Sequence, residues 1–257
     1  MALTKVIGDG LGGTNDLTVD TTTLTVDASN NRVGVGNDTP LAVLDVKGST
    51  DSFAGMAKVY LTDVTTNSDS RNWSIGNGGS AYGNLTISKS KVKDGNPSDS
   101  GTADNTLIIN NAGHVTMPLQ PAFHVQPSSL QANIAINTNV IVVYDSETYD
   151  VGSNFASNTF TAPVTGKYLL CYSLYLQALD TASNYYEAYI NSSNRDYYAS
   201  TIDPDFGDAD WNYFSLTGSS IVDMDANDTA KIVIRQAGGT AQSDINTPSF
   251  FSGALIC

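Results

Sequence analysis

The sequence predicts an all-β protein with short N-terminal strands, a β-rich middle region and a C-terminal β-sandwich. Three observations carry this. Only 15% of the 257 residues are charged, while threonine, serine, asparagine, aspartate and glycine abound, a composition that favours strands and turns over helices. Hydrophobic residues at 40% suffice for real cores and argue against wholesale disorder. Apolar residues also alternate with the period of a strand, most clearly after Tyr168.

Along the chain, three regions are expected: 1–48, 49–118 and 119–257. Residues 1 to 16 are Gly-rich and polar, as a flexible tail is; were the chain a fibre protein, this end would dock to the particle and become ordered on assembly. Leu17-Thr18-Val19-Asp20 then recurs as Leu24-Thr25-Val26-Asp27, two brief alternating strands and too few for a solenoid. Next come Arg32-Val33-Gly34-Val35-Gly36-Asn37-Asp38-Thr39-Pro40 and Leu44-Asp45-Val46-Lys47-Gly48. These resemble a module of phage tail fibres and related virion appendages, in which a Val-Gly-Ile-Gly-like strand precedes a Thr-x-Pro turn and a Leu-Asp-Val strand. On that resemblance, Gly34 and Gly36 mark places where three chains approach too closely for side chains. A plain glycine-containing hairpin is the other reading.

Residues 49 to 118 are predicted to form a β-rich shaft domain, with strands over 56–64, 71–76, 84–90 and 105–110. Asn110 to Met117 resembles the exit strand of appendage proteins. Pro118-Leu119-Gln120-Pro121 is a short, stiff linker and the expected domain boundary.

In the C-terminal region, Thr159-Phe160-Thr161 has strand composition, and Ala162-Pro163-Val164-Thr165-Gly166 breaks it. From there the residues fall into two alternating sets. Tyr168, Leu170, Tyr172, Leu174 and Leu176 form one; Leu169, Cys171, Ser173, Tyr175 and Gln177 form the other. A sandwich strand facing water would carry a polar second set. Here that set is mostly apolar, so Leu169, Cys171 and Tyr175 are expected to be covered by another copy of the chain. Further strands are expected over 134–143, 145–154, 185–190, 197–202, 212–216, 219–224 and 231–236. The strand from Ser249 onward is expected inside a sheet.

Five short matches carry a second resemblance. Tyr144-Asp145, Gly152-Ser153-Asn154-Phe155, Phe160-Thr161-Ala162-Pro163, Gly166-Lys167-Tyr168 and Phe251-Ser252-Gly253-Ala254-Leu255-Ile256 occur in order. They are similar to the signature of complement component-1q globular heads, with Ala122-Phe123 in the place of the usual first strand. The resemblance implies a tumour-necrosis-factor-like jelly roll over residues 119 to 257 that trimerises. The collagen stalk of the animal proteins is missing.

Charge excludes some functions. The formal net charge is −14, so a trimer would carry 3 × 14 = 42 negative charges, which repel nucleic acid and anionic lipid. No nucleic-acid partner and no membrane insertion are expected, since no apolar run is long enough to span a bilayer. The opening MALTKVIGDGLGG lacks the apolar core of a signal peptide, which suits a virion protein made in a cytoplasm and released by lysis. Two cysteines, Cys171 and Cys257, exclude a disulfide framework and are read as small, reduced core residues.

No catalytic site is predicted. His114 and His124 lack a third ligand for a metal, and no nucleophile triad, phosphate loop or HExxH occurs. Asp203, Asp205, Asp208 and Asp210 crowd four carboxylates into eight residues, and calcium would relieve their repulsion; a solvated acidic loop is the competing reading. Trp211, Tyr213, Tyr197 and Tyr198 are the expected partner-binding residues, as aromatics at one end of the head. The functional expectation is a homotrimeric phage fibre or spike, joined to other virion proteins through its N-terminus and attaching to a host receptor or glycan. A capsid decoration or cement protein is the alternative, and a host-glycan depolymerase ranks third.

Overall fold

The computed structural model describes residues 17–19, 23–49, 55–98, 101 and 103–257. Residues 1–16, the start of the docking region expected over 1–48, lie outside the described residues. Contacts divide the chain into two compact units, Met1–Pro118 and Leu119–Cys257.

The N-terminal unit holds two sheets. Strands β1 (Leu17–Val19), β2 (Leu24–Asp27), β3 (Arg32–Val35) and β4 (Leu44–Val46) form the first, in that order. The two copies of the Leu-Thr-Val repeat pair with each other, Leu17 opposite Val26 and Val19 opposite Leu24, so the repeat is one hairpin. Asp45 closes the module: its carboxylate accepts from the Leu41 amide at 2.9 Å and from Asn37 Nδ2 at 3.0 Å, fixing the Thr39-Pro40 turn. Gly34 and Gly36 have reasons within the chain. A Cβ on Gly34 would lie 2.1 Å from the Asn37 carbonyl oxygen, and Gly36 has φ +72°.

The second sheet is a meander of β5 (Lys58–Leu61), β6 (Trp73–Asn77), β7 (Leu85–Ser90), β8 (Ala103–Ile109) and β9 (Val115–Thr116). Its register sorts the side chains onto two unlike faces. Ser74, Thr86, Ser88 and Ser90 share one and are buried. The 91–98 loop lies over them: Ser74 Oγ donates to the Pro97 carbonyl and Asn72 Nδ2 to that of Gly95, each at 3.0 Å. Val59, Leu61, Trp73, Ile75, Leu85, Ile87, Leu107, Ile109 and Val115 share the other. In this chain the covered face is therefore the hydroxyl one.

The C-terminal unit is a jelly-roll sandwich. Its strands are β10 (Ala122–Gln126), β11 (Asn139–Ile141), β12 (Ser146–Asp150), β13 (Phe155–Ala156), β14 (Thr159–Thr161), β15 (Gly166–Leu179), β16 (Ser183–Ser192), β17 (Asp196–Ile202), β18 (Trp211–Met224), β19 (Thr229–Gly238) and β20 (Asp244–Leu255). One sheet runs β12-β10-β20-β15-β18, and the facing one runs β13-β14-β19-β16-β17 with β11 paired to β19. The β20 strand sits between β10 and β15, inside its sheet as the sequence predicts.

The two sets of β15 separate as expected. Tyr168, Leu170, Tyr172, Leu174 and Leu176 are all buried between the sheets. Each such side chain contributes about 1.5–3 kcal/mol relative to exposure. Phe123 anchors the aromatic part of this core, stacked on Phe160 at 4.6 Å and edge-on to Phe251 at 4.9 Å.

Two strand expectations need correction. The stretch 134–143 yields only the short β11, and Asn133 and Asn137 adopt positive φ where turns replace the strand. The break expected at Thr217-Gly218 is absent, and β18 runs for 14 residues. Gly218 provides close approach here instead of a turn, because a Cβ there would lie 2.5 Å from Ala199 Cβ and 2.6 Å from the Tyr172 ring.

Candidate interaction surfaces

Alternation along β15 puts Leu169, Cys171, Ser173, Tyr175 and Gln177 on the outward face of the β12-β10-β20-β15-β18 sheet. Register adds Ile221 and Tyr213 from β18, Phe250 and Ala254 from β20, His124 from β10 and Tyr149 from β12. Leu169 is 41% exposed, Tyr213 54% and Ile221 59%. The rings are already ordered into layers. Tyr175 stacks on Tyr213 at 5.1 Å and 12°, and His124 lies 5.3 Å from Phe250 and 6.1 Å from Tyr149. Charge stays near the ends of the face, where Lys167 pairs with Asp223 at 3.3 Å and Asp244 lies opposite Gln177. A wide apolar and aromatic surface with few charges is what an association interface needs.

Cys171 belongs to this face, half-buried, and burial pushes its thiol pKa up. Cys257 is exposed, and its carbonyl accepts from the Lys167 amide at 2.8 Å. Neither cysteine is a core residue, contrary to the sequence reading. Four residues of strand separate Lys167 from Cys171, roughly 13 Å, which is beyond disulfide reach.

The proposed aromatic cluster does not gather at one end. Trp211 packs edge-on to Phe206 at 4.7 Å and against Phe214 at 5.2 Å, half-buried beside the core. Tyr213 is on the outward face just described. Tyr198 lies against Tyr189 at 4.7 Å and, with Tyr197, borders a cleft of about 670 Å³ at the open edge between β17 and β18. Ser173, Thr217, Ser219 and Ser220 supply hydroxyls to that cleft, and Tyr172 and Phe250 supply ring faces. No charged side chain lines it. Sequence reasoning missed the hydroxyls, because the approach of β17 to β18 across the edge of the two sheets brings them beside the tyrosines.

The acidic loop does not form a calcium site. Pro204–Phe206 is a single 3-10 turn whose N-cap Asp203 accepts from the Asp205 amide at 3.3 Å. Asp210 accepts from the Thr181 amide at 2.9 Å and its hydroxyl at 3.0 Å. Asp203 and Asp210 are thus engaged locally, and among the described residues no three His, Cys, Asp or Glu side chains gather as a metal would require. His114 sits in the β8–β9 turn near Asn110, and His124 lies in the other unit. Among the described residues no helix is long and apolar enough to cross a membrane.

A buried polar network ties the end of the sandwich opposite the Lys167 terminus of β15. The Asp180 carboxylate accepts from the amides of Ala182 at 2.9 Å, Thr240 at 2.5 Å and Ala241 at 2.7 Å. Burial alone would raise its pKa, but the amides of Ala241, Ala182 and Thr240 outweigh that and hold it below the usual carboxylate value. Tyr186 extends the network, its hydroxyl 2.6 Å from Ser243 Oγ and accepting from the Asp180 amide at 3.0 Å.

No protein-family model matches the chain, and no curated protein does. Solved structures similar to it include the globular domain of zebrafish complement 1qA protein, 14% identical, covering 54% of this chain and 98% of that one at a TM-score of 0.40. Murine APRIL at pH 8.0 is 12% identical, with 53% and 99% covered and a TM-score of 0.40. The Eiger TNF of S. frugiperda is 15% identical, with 54% and 92% covered and a TM-score of 0.40.

Proposed function

We propose that this protein is a homotrimeric virion appendage, a phage fibre or spike that docks through its N-terminal region and attaches to the host surface through its jelly-roll head. The observation that carries the reading is the outward face of β15 and its neighbours. Leu169, Ile221 and the Tyr175–Tyr213 stack form a surface that a lone head would leave in water. The virion part rests on the sequence resemblance of Arg32–Gly48 to a tail-fibre module; in this chain Asp45 braces its Thr39-Pro40 turn. Attachment is assigned to the β17 wall of the cleft, Tyr197 and Tyr198, whose rings suit a neutral glycan or a polar protein loop, since Ser173, Thr217, Ser219 and Phe250 on its other side belong to the outward face given to the trimer. Three such clefts on one assembly add weak contacts as avidity. The work is adhesive and not catalytic.

Two measurements test this. Light scattering should give three chains per particle at micromolar concentration, and a stable folded monomer would overturn the oligomer. Antibody raised against residues 119–257 should label the tail of the virion in electron micrographs and block adsorption. Label confined to the capsid would replace the adhesive reading with a decoration protein.

A further inference from the structure

The β5–β9 sheet of the N-terminal unit turns its apolar side to solvent. Val59, Leu61, Trp73, Ile75, Leu85 and Val115 lie on one face, each between 36% and 57% exposed. The opposite, hydroxyl-bearing face is covered by the chain's own 91–98 loop. A sheet normally buries its apolar face and wets its polar one. This inversion leaves the apolar face without a cover in the chain as described. Among the described residues, the charges its strands carry on this face are Lys89 and Asp104, 2.9 Å apart, with Lys91 beside them at 3.8 Å from Asp104. The face therefore escapes the strong negative charge of the chain, which stands at −14 overall.

We propose that this face is a second self-association surface, on which copies of the chain pack against one another through their N-terminal units. Size argues for a copy over a foreign partner. Five strands about 4.8 Å apart, each giving some five residues at about 3.3 Å, make a patch on the order of 400 Å² in projection. That matches patches that signal interaction. It falls short of the about 800 Å² per partner typical of interfaces that hold two free proteins together. Chains already joined through their heads meet at high effective concentration, and for them the smaller patch suffices. The inference rests in that respect on the oligomer proposed above. It adds that the N-terminal units are partners in the assembly and not separate arms.

The test uses the full chain. With Trp211→Phe, Trp73 is the sole tryptophan, and acrylamide quenching reads the cover of this face while light scattering reads mass. In parallel, Ile75→Cys in a Cys171→Ala, Cys257→Ser background, which keeps the head face apolar, is treated with a short bismaleimide. Tyr60→Cys, on the opposite face, is the control. We expect oligomeric mass, cross-linked chains from Ile75→Cys but not from Tyr60→Cys, and Trp73 quenching that rises severalfold when Ile75→Lys is added. Oligomeric mass with a freely quenched Trp73 and no Ile75 cross-link overturns the inference while leaving the head interface standing, and opens the face to a foreign partner. Monomeric mass overturns the head reading and this inference together. A monomer with Trp73 protected assigns the cover to the chain's own segments.

Discussion

The hydroxyl of Tyr172 donates a 2.6 Å hydrogen bond to the carbonyl oxygen of Ala188, from one sheet of the sandwich to the other. The acceptor lies where the β16–β17 register shifts, between Ala188 and Tyr189. Burial pushes the Tyr172 phenol well above its ordinary pKa, so it remains a donor throughout the usual pH range. The bond depends on Gly218, whose missing side chain makes room for the ring.

Tyr172→Phe should therefore cost about 1–2 kcal/mol, the price of leaving a buried carbonyl without its donor. Gly218→Ala should cost more, about 2–4 kcal/mol, because the methyl displaces the whole ring in a packed core. Thermal denaturation of both variants checks the order; equal losses would mean that the ring finds room elsewhere.

Asp180 predicts a pH dependence. A carboxylate held below its unfolded pKa of about 3.9 stabilises fully above that value, and the contribution fades as pH falls through the folded one. Asp180→Asn should be less stable at neutral pH by about 2–3 kcal/mol, since charge-assisted bonds to three amides are lost or weakened. The gap to the native protein should narrow below about pH 4. Urea midpoints at pH 7 and pH 3 measure it. An unchanged gap would show that the amides do not depend on the charge.

Tyr175→Lys places a charge in the Tyr175–Tyr213 layer of the outward face. In a trimer the three ammonium groups would be desolvated without partners, at several kcal/mol. Light scattering should show smaller particles with the β-sheet circular dichroism kept, whereas Tyr198→Lys on the other sheet should leave the mass unchanged.

Reductant should shift the melting temperature by no more than about a degree, because neither free cysteine has a bridge to lose. Cys171→Ala, which keeps the outward face apolar, should stay within about 1 kcal/mol of the native chain.

Most of the head was legible because β15 is long and alternates cleanly, so five consecutive apolar residues of one parity announced the core. The opposite parity placed Leu169, Cys171 and Tyr175 on the outward face. Phe250 and Tyr149 were not found, since Phe250 takes its place opposite Ser173, far away in sequence, and Tyr149 lies on a short, exposed strand. Trp211 misled in the opposite sense: its composition suggested a binding residue, whereas Phe206 and Phe214 enclose it as a loop anchor. Gly218 misled as well, because a glycine after threonine reads as a turn unless the Tyr172 ring across from it is known. The inverted β5–β9 sheet was written in Trp73-Ser74-Ile75 and Leu85-Thr86-Ile87, but alternation alone does not say which face the loop will cover.

The place of β20 bears on biosynthesis. Phe123 of β10 pairs with Gly253, and Leu170 of β15 pairs with the same glycine from the other side. The sheet therefore has a gap in it until residues near 253 have left the ribosome, however early β10 is made. Such distant pairings slow folding. During the delay, the outward rings of β15 and the unfilled edges of β10 and β15 are exposed together on every nascent chain. Chains released side by side from one messenger would meet in that state, so the yield of native assembly should depend on how densely ribosomes load the message.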